Sequence, residues 1–420
     1  MPSAETIMLF AIPMFFALMA VELVAGLLMR RGVYRTNDAI SSIGLGVLSQ
    51  IVGVFAKALT IGIYGWIVQR VGLFELSPRS VWVWIVALLL YDFCYYWLHR
   101  AGHEIGVLWA AHVVHHQSER YNLSTALRQT GSGALLGWIF YLPLALLGVP
   151  VEVFAVVAVI DLLYQYWIHT ELVPKLGWFD RVFASPSNHR VHHAVNDRYL
   201  DRNYGGIFIL WDRLFGTFIE ESDEEPVVFG TRAPLRSWNP LWANAEVYWA
   251  LAKDAWRARR WRDKLKVWFA PPGWRPADVA ERFPKPGFDI ARAEFDPPVG
   301  PGLRAYCLLQ FALLLGVSTL FLQHAPQLDV GRKLGYAAFL STGLVSFGLL
   351  LERRRMGLAL ESLRLIALAV WPVLTARWPG HLPLALHFAG GFALWATLSA
   401  PWLWVAWRRT RQWMPATPTG

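Results

Sequence analysis

The sequence predicts an all-α fold: a polytopic membrane helix bundle of about nine spans carrying a histidine-rich cytoplasmic cap. Three observations carry that expectation. Of 420 residues, 55% are hydrophobic and only 16% charged, against about 25% charged in an ordinary soluble domain. Apolar runs near the roughly 20 residues a helix needs to cross a bilayer recur along the chain. Nine of the twelve histidines crowd into residues 99–193, several just beyond the ends of such runs. The composition excludes a disordered chain and an ordinary cytosolic enzyme. Cys94 and Cys307 both lie inside apolar runs, so no disulfide framework or zinc–cysteine site is available. The formal charge of +9 reads as membrane topology rather than nucleic-acid binding, because Arg and Lys gather at the ends of apolar runs.

The first expected span runs from about Ile7 to Met29; it carries Glu22, ends in Arg30-Arg31 and lacks a clear cleavage site, so it reads as retained. The second covers about Ile43–Val68 and the third about Val81–Leu98. The block Gly133–Ile168 is too long for one span, and Gly148-Val149-Pro150 divides it into two helices joined by a tight turn. Four more runs follow, about Leu303–Leu322, Leu334–Leu351, Gly357–Thr375 and Leu382–Trp407. They contain few polar groups, and would close a lipid-entry groove, support dimerisation or stabilise the bundle. Basic clusters follow three of the runs: Arg30, Arg31 and Arg35; Arg353, Arg354 and Arg355; Arg408, Arg409 and Arg411. Placing all three in the cytoplasm sets the N-terminus outside and the C-terminus inside, with Arg332 and Lys333 against the rule. Residues 169–302 then face the cytoplasm. The chain divides into a core, residues 1–302, and C-terminal spans, residues 303–420.

Within the cytoplasmic segment, residues 239–275 read as helix-forming. Trp242, Trp249, Trp256, Trp261 and Trp268 alternate with Lys253, Arg257, Arg259, Arg260, Lys264 and Lys266. Such a mixture suits either a helix in the headgroup layer or a solvated helix packed on the cap. Pro271-Pro272-Gly273 ends it, and a Pro-rich stretch through Pro301 leads back to the membrane.

The clustered histidines repeat a spacing: His99 and His103; His112, His115 and His116; His169 alone; then His189, His192 and His193. Residues at i, i+3 and i+4 share a helix face, so each triplet forms a three-nitrogen face, and His99 joins His103 if Gly102 does not break the turn. Imidazole is a ligand for iron, zinc and copper. Eight or nine imidazoles exceed what one ion takes; they suit two ions, each with three or four nitrogens and an open position. The alternatives are structural histidines, a single zinc site, or a non-enzymatic metal-binding membrane protein. Against a transporter, His324, His381 and His387 lie scattered near span ends. Asp92 and Asp161 lie about two turns before His99 and His169. Each either accepts a hydrogen bond from a ligand imidazole or bonds between helices.

With these motifs in this order, the sequence resembles the fatty acid hydroxylase and sterol desaturase superfamily of membrane di-iron enzymes. It is most similar to the alkylglycerol monooxygenase branch. The likeness includes Glu104 after His103, Tyr164-Gln-Tyr-Trp-Ile-His169-Thr-Glu171, Ser187-Asn-His189-Arg-Val-His192-His193, Asn203-Tyr-Gly-Gly206, Trp211-Asp-Arg-Leu-Phe-Gly-Thr217 and Pro272-Gly-Trp274. It covers roughly residues 40 to 280, and Asn188 departs from the pattern. The resemblance implies that the eight box histidines hold two irons, with His169 a ninth candidate ligand. It implies that Glu104 orients a ligand or contacts a reductant, and that Asp212 supports the site or pairs with Arg213.

The activity so implied is a dioxygen-dependent monooxygenase acting on a lipid chain, with ether-lipid hydroxylation and cleavage as the leading expectation. A fatty acid or sterol hydroxylase or desaturase fed by a ferredoxin or cytochrome is the alternative. The histidine boxes do not separate these reactions. The chain shows no ferredoxin, haem-attachment or dinucleotide motif, so electrons come from an external donor. The branch implies tetrahydrobiopterin or another reduced pterin. The expected location is a bacterial inner membrane with the metal site on the cytoplasmic side.

Overall fold

Helices form all the regular structure in the computed structural model, which describes residues 4–375 and 389–410. Beside them stand only two isolated antiparallel bridges, Phe183 with Phe208 and Ala194 with Phe229. His381, His387, Arg411 and residues 382–388 of the last expected span lie outside the described residues. Two compact units emerge. One comprises Met1–Leu235 with Asn244–Ala293, the other Arg236–Ala243 with Glu294–Gly420.

In the first unit, α1 (Ala4–Leu28), α2 (Thr36–Val71) and α3 (Val81–Glu104) are long apolar helices. α1 leaves Phe10, Val21 and Leu27 exposed, as suits a helix bathed in lipid. Glu22, a carboxylate within this apolar helix, is buried. It accepts hydrogen bonds from the Tyr34 and Thr170 hydroxyls and the Leu123 N–H. α1 is thereby tied to the segments that follow α2 and flank the histidines. α3 runs past the expected end at Leu98, so both His99 and His103 are helical. Gly102 does not break the turn. It is buried, and a Cβ there would lie 3.4 Å from the His112 side chain, an ordinary packing distance from α4 (Gly106–His116).

The block 133–168 does divide at Gly148-Val149-Pro150. Gly148 has φ +84°, and a Cβ would sit 2.0 Å from the Phe74 carbonyl oxygen; only glycine fits. Its first limb is not one helix. α5 (Leu123–Ala126) and α6 (Gly133–Gly137) precede a 3₁₀ turn at Trp138–Tyr141, and α7 (Leu142–Leu146) restarts with Pro143 in its first turn. The second limb, α8 (Val151–Trp167), has 17 residues, about 26 Å at 1.5 Å per residue against a hydrocarbon core of roughly 30 Å. Among the described residues five helices are long and apolar enough to cross a membrane: Thr6–Leu28, Thr36–Ala56, Val81–Glu104, Pro301–Gln327 and Val330–Leu351. The cap adds α9 (Pro186–His192), α10 (Leu210–Leu214), α11 (Pro240–Arg257), α12 (Trp261–Phe269) and α13 (Ala277–Arg282).

The second unit is built on α14 (Pro301–His324), α15 (Val330–Leu351), α16 (Arg355–Thr375) and α17 (Ala389–Thr410). Its interior is more polar than the sequence suggested. Glu361 and Arg364 are buried and paired at 2.7 Å. Glu361 also accepts from the Tyr306 and Ser346 hydroxyls, while Arg364 donates to Gln310, whose amide donates to Ser399. One network therefore joins all four helices, satisfying charges that would be costly alone in an apolar interior.

Candidate metal centre

Each histidine is placed by an ordinary local feature. His99 and His103 occupy the last turns of α3. His112, His115 and His116 close α4. His169 follows the C-cap of α8, its ring donating from Nδ1 to the Gln165 carbonyl at 2.7 Å. α9 starts where the Ser185 hydroxyl accepts the Asn188 N–H and Pro186 takes the first turn, a favoured N-terminal arrangement. It delivers His189, His192 and, at its C-cap, His193. The departing Asn188 braces this helix start: its amide donates to the Asp180 and Phe183 carbonyls.

All nine histidines converge, in two groups. His99, His103, His112, His116 and His192 form one; His115, His169, His189 and His193 form the other. Within each group the nearest ring nitrogens lie within 4.8 Å of one another. The division cuts across the motifs, so the expected three-nitrogen faces do not act as units. His112 and His116 share a group while His115 turns to the other; His189 and His193 share a group while His192 turns away. On a helix an i, i+4 pair is nearly eclipsed, whereas adjacent residues diverge by about 100°. The result is five and four nitrogens rather than three or four each.

Several Nε2 atoms nearly touch: His99 and His112 at 3.1 Å, His112 and His116 at 2.9 Å, His115 and His169 at 3.1 Å, His169 and His189 at 3.1 Å, His189 and His193 at 3.2 Å. An ion with nitrogen ligands at roughly 2.1 Å and near right angles sets neighbouring donors about 3.0 Å apart. Chemistry fixes which nitrogen is free. The Nδ1–H groups of His99, His115 and His192 donate to the carbonyls of Tyr204, Arg128 and Arg202 at 2.7, 3.0 and 2.9 Å. A carbonyl can only accept, so these rings are held with Nε2 as a lone pair, the form a metal requires. His103 and His192 have buried Nε2 atoms with no hydrogen-bond partner. Burial lowers the pKa of His112, His115, His116, His169, His189, His192 and His193, that of His115 to about 4. The rings are therefore neutral and ligand-competent. This donor set fits a di-iron centre.

The carboxylates lie around the centre rather than in it. Asp92 accepts from the Ile207 and Phe208 N–H groups and the Trp211 indole at 2.6, 3.2 and 2.7 Å; it bonds elements together and touches no imidazole. Asp161 accepts from the Gln165 amide. Asp212 is buried and accepts from the Tyr204 and Gly205 N–H groups and the Thr217 hydroxyl. It thus shapes the turn whose Tyr204 carbonyl holds His99, while Arg213 lies over the Phe218 ring instead of pairing with it. Burial pushes the Asp212 carboxyl up to about 6. Glu104 is exposed and paired with Arg100 at 2.8 Å. His324 joins neither group.

Sequence reasoning missed Arg128 and Arg190. Arg128 is fully buried, donates to the Val114 carbonyl at 2.7 Å and reaches Ser41, Ser42 and Gln117. It packs the turn that carries the His115 acceptor. Arg190 pairs with Glu221 at 2.7 Å and donates to the Thr170 and Val173 carbonyls, binding the segment after His169 to α9. Arg190 lies inside the third histidine motif, the one sequence signal that pointed to it; Arg128 had none.

The fatty acid hydroxylase family profile matches residues 84–217, a span containing all nine clustered histidines. Over 363 residues the chain is 39% identical to alkylglycerol monooxygenase of Danio rerio, covering 85% of this chain and 80% of that protein. To alkylglycerol monooxygenase of Homo sapiens it is 37% identical over 360 residues, covering 84% and 80%. Similarity to an ornithine lipid hydroxylase of Rhizobium tropici is confined to 139 residues at 30% identity, 32% of this chain and 41% of that protein. No solved structure matches significantly. Likeness at this level along most of both chains, with the histidine groups inside the matched domain, establishes that the chain belongs to the alkylglycerol monooxygenase family of membrane oxidoreductases.

Proposed function

We propose that the five-imidazole and four-imidazole groups would each hold one iron, and that the protein hydroxylates the ether-bearing carbon of an alkylglycerol-type lipid. The observation that carries this reading is the convergence of nine imidazoles on two points, in a chain similar to alkylglycerol monooxygenases over most of its length. Iron held there would supply the activation of dioxygen. One oxygen atom enters the C–H bond beside the ether oxygen; the other leaves as water, with two electrons and two protons from a donor. The resulting hemiacetal collapses to an aldehyde and a free glycerol. The chain's own contribution is positional. Backbone carbonyls fix ring tautomers, Asp92 and Asp212 hold the 204–211 loop against α3, and burial of the histidines keeps water from the centre.

Tetrahydrobiopterin or another reduced pterin is the proposed electron donor, and Glu104, exposed beside His103, the proposed contact for it. Asp212 is the proposed positioning residue for His99. The proposed location is a bacterial inner membrane, and the basic clusters support placing the histidine groups on its cytoplasmic side. The test is a mass-spectrometric assay of purified, iron-loaded protein against ether lipids, free fatty acids and sterols, run with either a reduced pterin or a reduced ferredoxin. Aldehyde and glycerol released from the ether lipid with the pterin is the expected result. Turnover of only the fatty acid or sterol, or only with ferredoxin, would move the assignment to the alternative.

A further inference from the structure

The helices α11 and α12 present two unlike faces. Their inward side braces the segments that carry histidines. Asn244 on α11 accepts the Gly131 N–H at 2.8 Å, and the Tyr248 hydroxyl bonds that of Ser132 at 2.9 Å. This holds the 130–132 loop, which directly follows the Arg128 carbonyl bonded to His115. α12 ends against α4. The Gly106 N–H, at the first residue of α4, donates to the Ala270 carbonyl at 3.0 Å, and a Cβ on Gly106 would lie 3.0 Å from the Val267 carbonyl oxygen. α4 is the helix that supplies His112, His115 and His116.

The outward side is aromatic and basic. Trp249, Trp256, Trp261, Leu265 and Phe269 are 55%, 84%, 79%, 66% and 67% exposed. Trp249 and Trp256 are two turns apart on one stripe of α11, and Trp261, Leu265 and Phe269 form an i, i+4, i+8 stripe on α12. Between residues 253 and 266 stand seven basic residues and two acidic ones. Of the acidic pair, Asp254 is buried against Arg275 at 2.8 Å. Lys253 and Lys264 lie over the Trp249 and Trp261 rings, leaving long basic side chains rooted among aromatic ones.

We propose that the outer faces of α11 and α12 dock on the anionic surface of the lipid leaflet beside the cap, and that this docking sets how firmly α4 and the 130–132 loop are held. Apolar rings entering the headgroup layer bury surface that water would otherwise meet, while the basic side chains stay at headgroup level opposite phosphates. A zwitterionic surface gives the same apolar burial without the electrostatic gain. Sensitivity to lipid charge therefore separates this docking from simple embedding, and salt weakens it.

The test uses the full chain in nanodiscs of phosphatidylcholine, with or without about one third phosphatidylglycerol. A bimane label on Leu265→Cys reports depth, since Cys94 and Cys307 are buried. Hydrogen exchange of residues 106–116 reports the coupling in unlabelled protein. The expected result is quenching of the label by a lipid-borne nitroxide, at least twofold stronger with phosphatidylglycerol, and exchange slowed severalfold in the same discs. The triple variant Arg259→Gln, Arg260→Gln, Arg262→Gln should erase both differences. A label quenched mainly by aqueous iodide, or exchange indifferent to lipid charge, overturns the proposal. Protection appearing only when an acidic electron-transfer protein is added also overturns it, assigning the face to a protein partner.

Discussion

Replacing Asp212 tests whether loop geometry supports the histidine groups from outside. The carboxylate accepts two backbone N–H groups at 2.7 Å and the Thr217 hydroxyl at 2.6 Å, and is fully buried. Asp212→Ala strands these three donors, at about 1–3 kcal/mol for each buried unsatisfied group, or roughly 3–9 kcal/mol gross. Part of this is offset. With its carboxyl pushed up to about 6 by burial, an ionised Asp212 costs the fold about 3 kcal/mol at pH 7. The net loss at pH 7 is then at most about 6 kcal/mol. The sign with pH follows. A carboxyl whose folded pKa is raised contributes stability below its unfolded pKa and loses it as pH rises through about 6. The deficit of the alanine variant should therefore widen by about 1 kcal/mol between pH 7 and pH 5. Because the Tyr204 carbonyl holds His99, iron should also leave the variant faster. Thermal unfolding in detergent, followed by tryptophan fluorescence, and iron release to a chelator measure both effects. An unchanged midpoint and release rate at pH 5 and pH 7 would refute the reasoning.

Four further outcomes follow from the same geometry. Gly148→Ala, forced to φ +84° with a Cβ 2.0 Å from the Phe74 carbonyl oxygen, should cost about 3 kcal/mol or more and sharply lower the yield of folded protein. Gly131→Ala, whose nearest contact is an ordinary 3.4 Å, should stay within about 1 kcal/mol in the same unfolding assay. Metal-free protein should lose stability as pH falls from 6.5 toward 4, because burial lowers the histidine pKa values, that of His115 to about 4, and neutral buried rings favour folding only above their unfolded pKa. Loading with iron should shift that loss to lower pH, read by thermal melts across the range. Arg364→Met should cost about 3–5 kcal/mol by leaving Glu361 unpaired, whereas the double variant Glu361→Leu, Arg364→Met should recover most of it; equal losses would refute the pairing argument.

The sequence disclosed the histidines because their spacing is helical and local. It also disclosed the five helices long and apolar enough to cross a membrane among the described residues, because a bilayer imposes length and hydropathy on every crossing. The break at Gly148 was legible from glycine and proline chemistry. Which histidines share a group was not, because that depends on how α3, α4, α9 and the end of α8 cross, and no one-dimensional pattern records it. How the 204–217 loop is held was not legible for another reason. Asp92, Asp212 and Asn203 hold it through side-chain bonds to backbone groups, contacts without a period. Arg128 and the Glu361–Arg364 pair stayed hidden because a charge in an apolar run looks the same whether it faces a partner or a phosphate.

The most direct measurement is metal content. Protein purified with iron, then analysed by mass spectrometry for total metal and by Mössbauer spectroscopy for its state, should carry two irons per chain in distinct sites. His115→Ala with His169→Ala empties the four-imidazole group, and one iron should remain. A single ion per chain in the unsubstituted protein, or two irons retained after both imidazoles are removed, would contradict a di-iron centre divided between the two groups.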